Sequence, residues 1–91
     1  MEIKNIKGSQ GEHYRDVGKK EWLDAMGLKA FPKCQILGCG KDATDAGHVI
    51  TSRQSNAWYL LPECGEHNEN EKEWLKTKAT AADNLVKLTS V

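Results

Sequence analysis

Two short spacings constrain this chain more than anything else in it. Cys34 and Cys39 enclose Gln-Ile-Leu-Gly, Cys64 and His67 enclose Gly-Glu, and the two pairs hold every cysteine of the protein. Each pair is spaced as a metal-binding corner. Such corners matter in a 91-residue chain of which only 38% is apolar and whose mean hydropathy is −0.66, because a core that small is barely enough to hold a fold. A metal is one of the few staples open to it. Three cysteines cannot all pair as disulfides. No secretory leader is evident and no run of about 18 apolar residues occurs, so a reducing, cytoplasmic setting without membrane contact is expected.

The residues around the corners read as short elements. Residues 1–15 carry few aliphatic side chains and are expected to be a flexible N-terminus. From 16 to 91 the chain reads as one domain. Asp16 to Met26 fits a helix with Asp16 as N-cap, Trp22, Leu23 and Met26 as its apolar stripe and Gly27 as its stop. The glycines in Cys34–Gly40 suit a tight knuckle, where backbone N–H groups turn towards sulfur through positive φ. Ala46 to Thr51 and Ala57 to Leu61 read as the strands of a β-hairpin, with 52–56 as its loop. A helix is expected from Cys64 through Lys76, a loop over 77–84, and a final strand over Leu85–Val91 in which Leu85, Lys87 and Thr89 alternate with Val86 and Leu88.

Knuckle, hairpin, then a helix whose first turn completes the site is the order of a treble-clef zinc finger. The expected fold is therefore α+β: a small treble-clef zinc domain with an N-terminal helix and a short C-terminal strand. Its ligands are Cys34, Cys39, Cys64 and His67, three thiolates and one imidazole around a structural Zn²⁺. Lys33 and Lys41 lie close in sequence to offset the excess negative charge. The donor set leaves Fe²⁺ open, with zinc the default for a tetrahedral thiolate site.

AGHV in the first hairpin strand, followed by YLLPECGEHN, resembles the small zinc-stabilised HNH endonuclease-like proteins of the ββα-metal type over roughly residues 34 to 70. The resemblance implies His48 as the general base that activates water, Asn56 as the group that orients it, and Asn68 as the helix ligand of a catalytic Mg²⁺ or other divalent ion. That is an H-N-N form of the motif. Gly47 stands where the family has a metal-binding side chain before the base.

Two functions follow. One is an active divalent-metal-dependent endonuclease using His48. The other is a degenerate or weak nuclease relative that acts as a protein- or nucleic-acid-binding module, in the manner of a phage- or mobile-element-type inhibitor or adaptor. Formal charge favours the second: Lys and Arg equal Asp and Glu at 13 each, and Glu63, Glu66, Glu69, Glu71 and Glu73 crowd the second corner, where they would repel a phosphate backbone. Tyr14, Trp58 and Tyr59 are the aromatic residues expected at a binding surface, and no small-molecule cofactor is expected.

Overall fold

The computed structural model describes residues 1–6, 12–54 and 57–88, with the backbone alone for 12–17. Strand β1 (Glu2–Asn5) is followed by helix α1 (Glu12–Met26), strands β2 (Asp45–Ile50) and β3 (Tyr59–Glu63), and a single-turn helix α2 (Gly65–Asn68). Strand β4 (Leu75–Lys76), a 3₁₀ segment (Ala79–Asn84) and strand β5 (Val86–Lys87) complete it. All strand pairs are antiparallel and the sheet runs β4-β1-β2-β3-β5. No helix among the described residues is long and apolar enough to cross a membrane.

The hairpin β2–β3 is the centre of this sheet, in a register that sets Asp45 opposite Glu63, Gly47 opposite Leu61 and His48 opposite Leu60. Alternation along each strand sends neighbouring side chains to opposite faces, and both faces are covered. One face packs Trp22 from α1 on Ala46, Leu60 and Leu88. The other packs Ile3, Val49, Leu61 and Ala81 against Cys34, Ile36 and Cys64. Trp22 is fully buried and its Nε1–H donates to the Asn84 carbonyl at 2.8 Å, which ties α1 to the 3₁₀ segment. Leu85 joins the cysteine-bearing side while Val86 and Leu88 join the α1 side, as the alternation in the last stretch requires.

Helix α1 ends where its sequence says it must. Gly27 takes φ +68°, its N–H bonds the Asp24 carbonyl, and Leu28 N–H bonds the Leu23 carbonyl at 3.0 Å, a Schellman stop. The helix begins at Glu12, however, so Asp16 lies inside it and is not its N-cap.

Three further expectations are corrected. Glu2–Asn5 forms a strand bonded on both edges, where the sequence suggested a loose start. Its inward positions are Ile3 and Asn5, and a buried asparagine hides the alternation. The helix after Cys64 is one turn long and does not run on to Lys76. Asn5 Nδ2 donates to the carbonyls of His67 (2.8 Å) and Asn70 (2.9 Å), taking up the helix end, while Asn70 Oδ1 accepts from the N–H groups of Lys72 and Glu73. Leu75 is then free to pair with Ile3. Finally, the aromatic surface is narrower than expected: Tyr59 is half-buried against the cysteine-side cluster, whereas Trp58, half-buried against the α1-side cluster, also lines a surface groove. Tyr14's side chain lies outside the described residues.

Candidate metal centre

Cys34 and Cys39 sit on a knuckle anchored to the rest of the fold by backbone bonds. Cys34 N–H reaches the Lys41 carbonyl (2.9 Å), Gln35 N–H the Pro62 carbonyl (3.0 Å) and Leu37 N–H the Lys76 carbonyl (2.9 Å). Inside the knuckle Cys39 N–H bonds Ile36 O at 3.1 Å, a turn closed through Gly38 at φ +82°, which a side chain would strain. The buried Gln35 side chain braces it, donating to Lys33 O and accepting from Thr80 Oγ1 and Asn84 Nδ2. Cys64 stands at the N-cap of α2, and the single turn that follows brings His67 back over it.

This folding gathers Cys34, Cys39, Cys64 and His67, whose ligand atoms all lie within 4.8 Å of one another. Cys39 Sγ is 3.9 Å from Cys64 Sγ, and His67 Nδ1 is 3.6 Å from Cys34 Sγ and 3.2 Å from Cys64 Sγ. Zinc bonds of about 2.3 Å to sulfur and 2.0–2.1 Å to nitrogen give a tetrahedron with edges of about 3.8 Å (S–S) and 3.6 Å (S–N). The observed separations are close to those edges. The donor set thus fits a tetrahedral metal site.

The cysteines differ in their readiness to ionise. Burial pushes the Cys34 thiol up to about 12, so a metal must expel its proton to use it. Cys39 is more open: its slight burial acts upward, but the Lys41 backbone N–H, the other two thiols and the Lys78 charge outweigh this and leave it below the ordinary value. Lys78 also donates to the Cys39 carbonyl at 2.5 Å. Lys33 and Lys41 form exposed ion pairs with Asp42 and Glu66 at 2.6 Å each, and Lys41 also feels the Cys64 and Cys39 charges. Lys78, remote in sequence, is the cation that the linear reading missed.

His48 and Asn68 are not brought together. Val49, and with it Gly47 and Asp45, faces the cysteine side, whereas Ala46 and His48 face α1. His48 Cε1 lies 3.5 Å from where a Cβ on Gly18 of α1 would be. Burial lowers the imidazole pKa and the Glu21 charge opposes that shift. Asn68 is buried on the cysteine side, its Nδ2 donating to Asp45 Oδ2 at 3.0 Å. Asn56 lies outside the described residues. Arg53 lies over the Trp74 ring at 5.5 Å, and Lys72 lines a groove beside β1.

A polar pocket beside the metal corner was not legible from the sequence. Asn5, Asp45, Glu63 and Asn68 are all buried on the cysteine side of the sheet. Gly47 makes room for them: a Cβ there would overlap Glu63 Oε2 and come within 2.7 Å of Asn68 Oδ1. Glu63 is therefore no part of the surface acidic cluster, although Glu66, Glu69 and Glu73 are exposed. Burial pushes its carboxyl up to about 8, with the neighbouring Asn5 amide pulling it down and the Asp45 charge raising it. The hairpin register sets the Asp45 and Glu63 carboxylates face to face, a pairing that extends the strands one residue beyond Ala46 and two beyond Leu61.

Comparison with protein-family models, curated proteins and solved structures finds no match for this chain.

Proposed function

We propose that this chain is a zinc-stabilised domain of the treble-clef, HNH-like kind that works as a binding module and not as an efficient nuclease. The observation that carries the reading is the tetrahedral spacing of Cys34, Cys39, Cys64 and His67. Zinc at these atoms ties the knuckle to the end of β3 and the start of α2, reinforcing the small apolar cluster that Cys34, Ile36, Leu61 and Cys64 share. Structural zinc in small domains contributes on the order of 10 kcal/mol, enough to decide whether such a chain folds.

The lack of convergence between His48 and Asn68 supports a non-catalytic role. A general base must reach its water beside the metal that stabilises the developing charge, and these residues occupy opposite faces of the hairpin. A groove of about 900 Å³ beside β1 offers a binding surface, with Ile50 and Trp58 as apolar lining and Lys4, Lys72, Glu69 and Glu71 around them. Mixed charge of that kind suits a protein partner better than a phosphate backbone. An inhibitor or adaptor of phage or mobile-element type fits this description.

The test is a paired one. Chelation at neutral pH should abolish cooperative melting and the near-ultraviolet signal of the buried Trp22. Zinc-loaded protein should leave supercoiled DNA and RNA intact with Mg²⁺, Mn²⁺ and Ni²⁺. Robust cleavage that disappears in His48→Ala, with the fold kept, would overturn the binding-module reading in favour of the endonuclease.

A further inference from the structure

Helix α1 covers only part of the sheet face on which it packs. The apolar cluster beneath it draws on Ala46 of β2, Leu60 of β3 and Val86 of β5, and among the described residues it includes none from β1 or β4. Alternation places Ile50 on the same face of β2 as Ala46, and the register sets Lys4 of β1 beside Ile50. Here the face opens into the groove of about 900 Å³, where Ile50 and Trp58 meet Lys4 and the Glu69, Glu71 and Lys72 of the turn after α2. No described residue of α1 lines it. Charges of both signs share this groove, yet none of them pairs with another: the ion pairs among the described residues are Lys33–Asp42 and Lys41–Glu66. A second depression, lined by Glu2 and Thr51, holds Arg53 over the Trp74 ring. Tryptophan and arginine are the residues in which the binding energy of protein interfaces concentrates.

We propose that this groove is the interface of a two-fold dimer, its occupant a second copy of the same chain. The inference rests on the binding-module reading and names the partner of that groove. A two-fold contact needs one patch that complements itself. The groove does so in sign: a two-fold axis sets Lys4 and Lys72 of one protomer against Glu69 and Glu71 of the other, and supplies the counter-charges that neither protomer finds within itself. It does so in composition as well, with Ile50 and Trp58 as apolar surface and charged groups around them. A phosphate backbone would satisfy the two lysines and meet two repelling carboxylates, and a strongly basic or acidic protein would likewise match only half of the charges. A second copy matches all four. The whole chain adds no net repulsion between copies, because its 13 basic side chains balance 13 acidic ones.

Sedimentation equilibrium of the zinc-loaded full chain, from about 10 μM to about 1 mM, provides the test. The mass should rise with concentration from the 10.1 kDa monomer to twice that value. Two double variants, Lys4→Glu with Lys72→Glu and Glu69→Lys with Glu71→Lys, each leave the groove with a single sign. Each should weaken self-association by about tenfold or more while keeping the zinc content and circular dichroism of the wild type. Mixed in equal amounts, the two variants should form a heterodimer at least as tight as the wild-type dimer. Ile50→Glu, at a position outside both core clusters, should also be monomeric. A folded, zinc-loaded wild type that stays monomeric at millimolar concentration would overturn the dimer, and would leave the binding-module reading to its own cleavage test. Self-association untouched by the charge changes would place the contact elsewhere and overturn the proposal too. Variants that stay monomeric when mixed would refute the charge pairing on which it rests. Capture of a fluorescent oligothymidylate by a monomeric wild type, lost with Lys4→Glu and Lys72→Glu, would overturn it in favour of single-stranded nucleic acid.

Discussion

Replacing Gly47 by alanine probes the way this hairpin is packed. Gly47 does not have a positive φ, so its backbone accepts alanine. In an open strand the change would add about 0.5–1 kcal/mol by restricting the unfolded chain. Here the new Cβ overlaps Glu63 Oε2 and stands 2.7 Å from Asn68 Oδ1 and 3.0 Å from Glu63 Cδ. Neither neighbour can swing into solvent: Glu63 is 0% and Asn68 2% exposed, and Asn68 is also held by Asp45. Overpacking of a closed site costs about 1–3 kcal/mol, and the upper end applies where the obstructing group has no exit. The expected net loss is about 2 kcal/mol, which for a domain of this size lowers the melting temperature by about 10 °C. Thermal and urea unfolding of zinc-loaded protein, followed by circular dichroism, reads this directly. In a Glu63→Ala background the same substitution should cost less, because the nearer obstruction is gone and Asn68 Oδ1 can shift into the vacated space; the two changes are coupled. A Gly47→Ala protein that melts at or above the wild-type temperature would refute the packing argument.

Other perturbations have equally definite outcomes. Cys64→Ser should abolish cooperative unfolding, whereas Leu37→Ser, at an exposed knuckle position, should shift the melt by less than about 0.5 kcal/mol; comparable shifts in differential scanning calorimetry would contradict the ligand assignment. Zinc affinity should rise with pH: the metal-free Cys34 thiol is pushed up to about 12, so throughout the range below that value binding expels its proton. That one thiol contributes about a tenfold gain per pH unit, and chelator competition between pH 6 and 8 checks it, a flat profile counting against Cys34. Asn5→Ala should cost about 1–3 kcal/mol by removing the buried donor to the Asn70 carbonyl and leaving the His67 carbonyl with the Asn70 N–H alone. Hydrogen exchange should then show the start of α2 opening more readily, and unchanged protection there would argue against this cap.

What could be read from the sequence was what local spacing encodes. The metal corners are pairs separated by a few residues, the α1 stop is a single glycine, and Trp22 follows from a helical stripe; each depends only on its neighbours. The errors arose where a distant residue decides. The helix after Cys64 looks long by composition, but Asn5, more than sixty residues away, takes its carbonyls and ends it after one turn. Glu63 reads as one more surface glutamate until hairpin register sets it opposite Asp45 and a missing side chain at Gly47 gives it space. His48 and Asn68 fit a motif along the chain, yet strand alternation sends His48 towards α1 and leaves Asn68 with the cysteines. Lys78 reaches Cys39 because the segment after β4 bridges back to the knuckle, with Ile36 opposite Thr77.

X-ray absorption at the zinc edge, on protein purified without added metal, tests the central claim most directly. The account requires one zinc per chain, with a shell of three sulfurs at about 2.3 Å and one nitrogen at about 2.0–2.1 Å. Protein that is folded and cooperative without any metal, or a zinc shell made of oxygen and nitrogen alone, would contradict it.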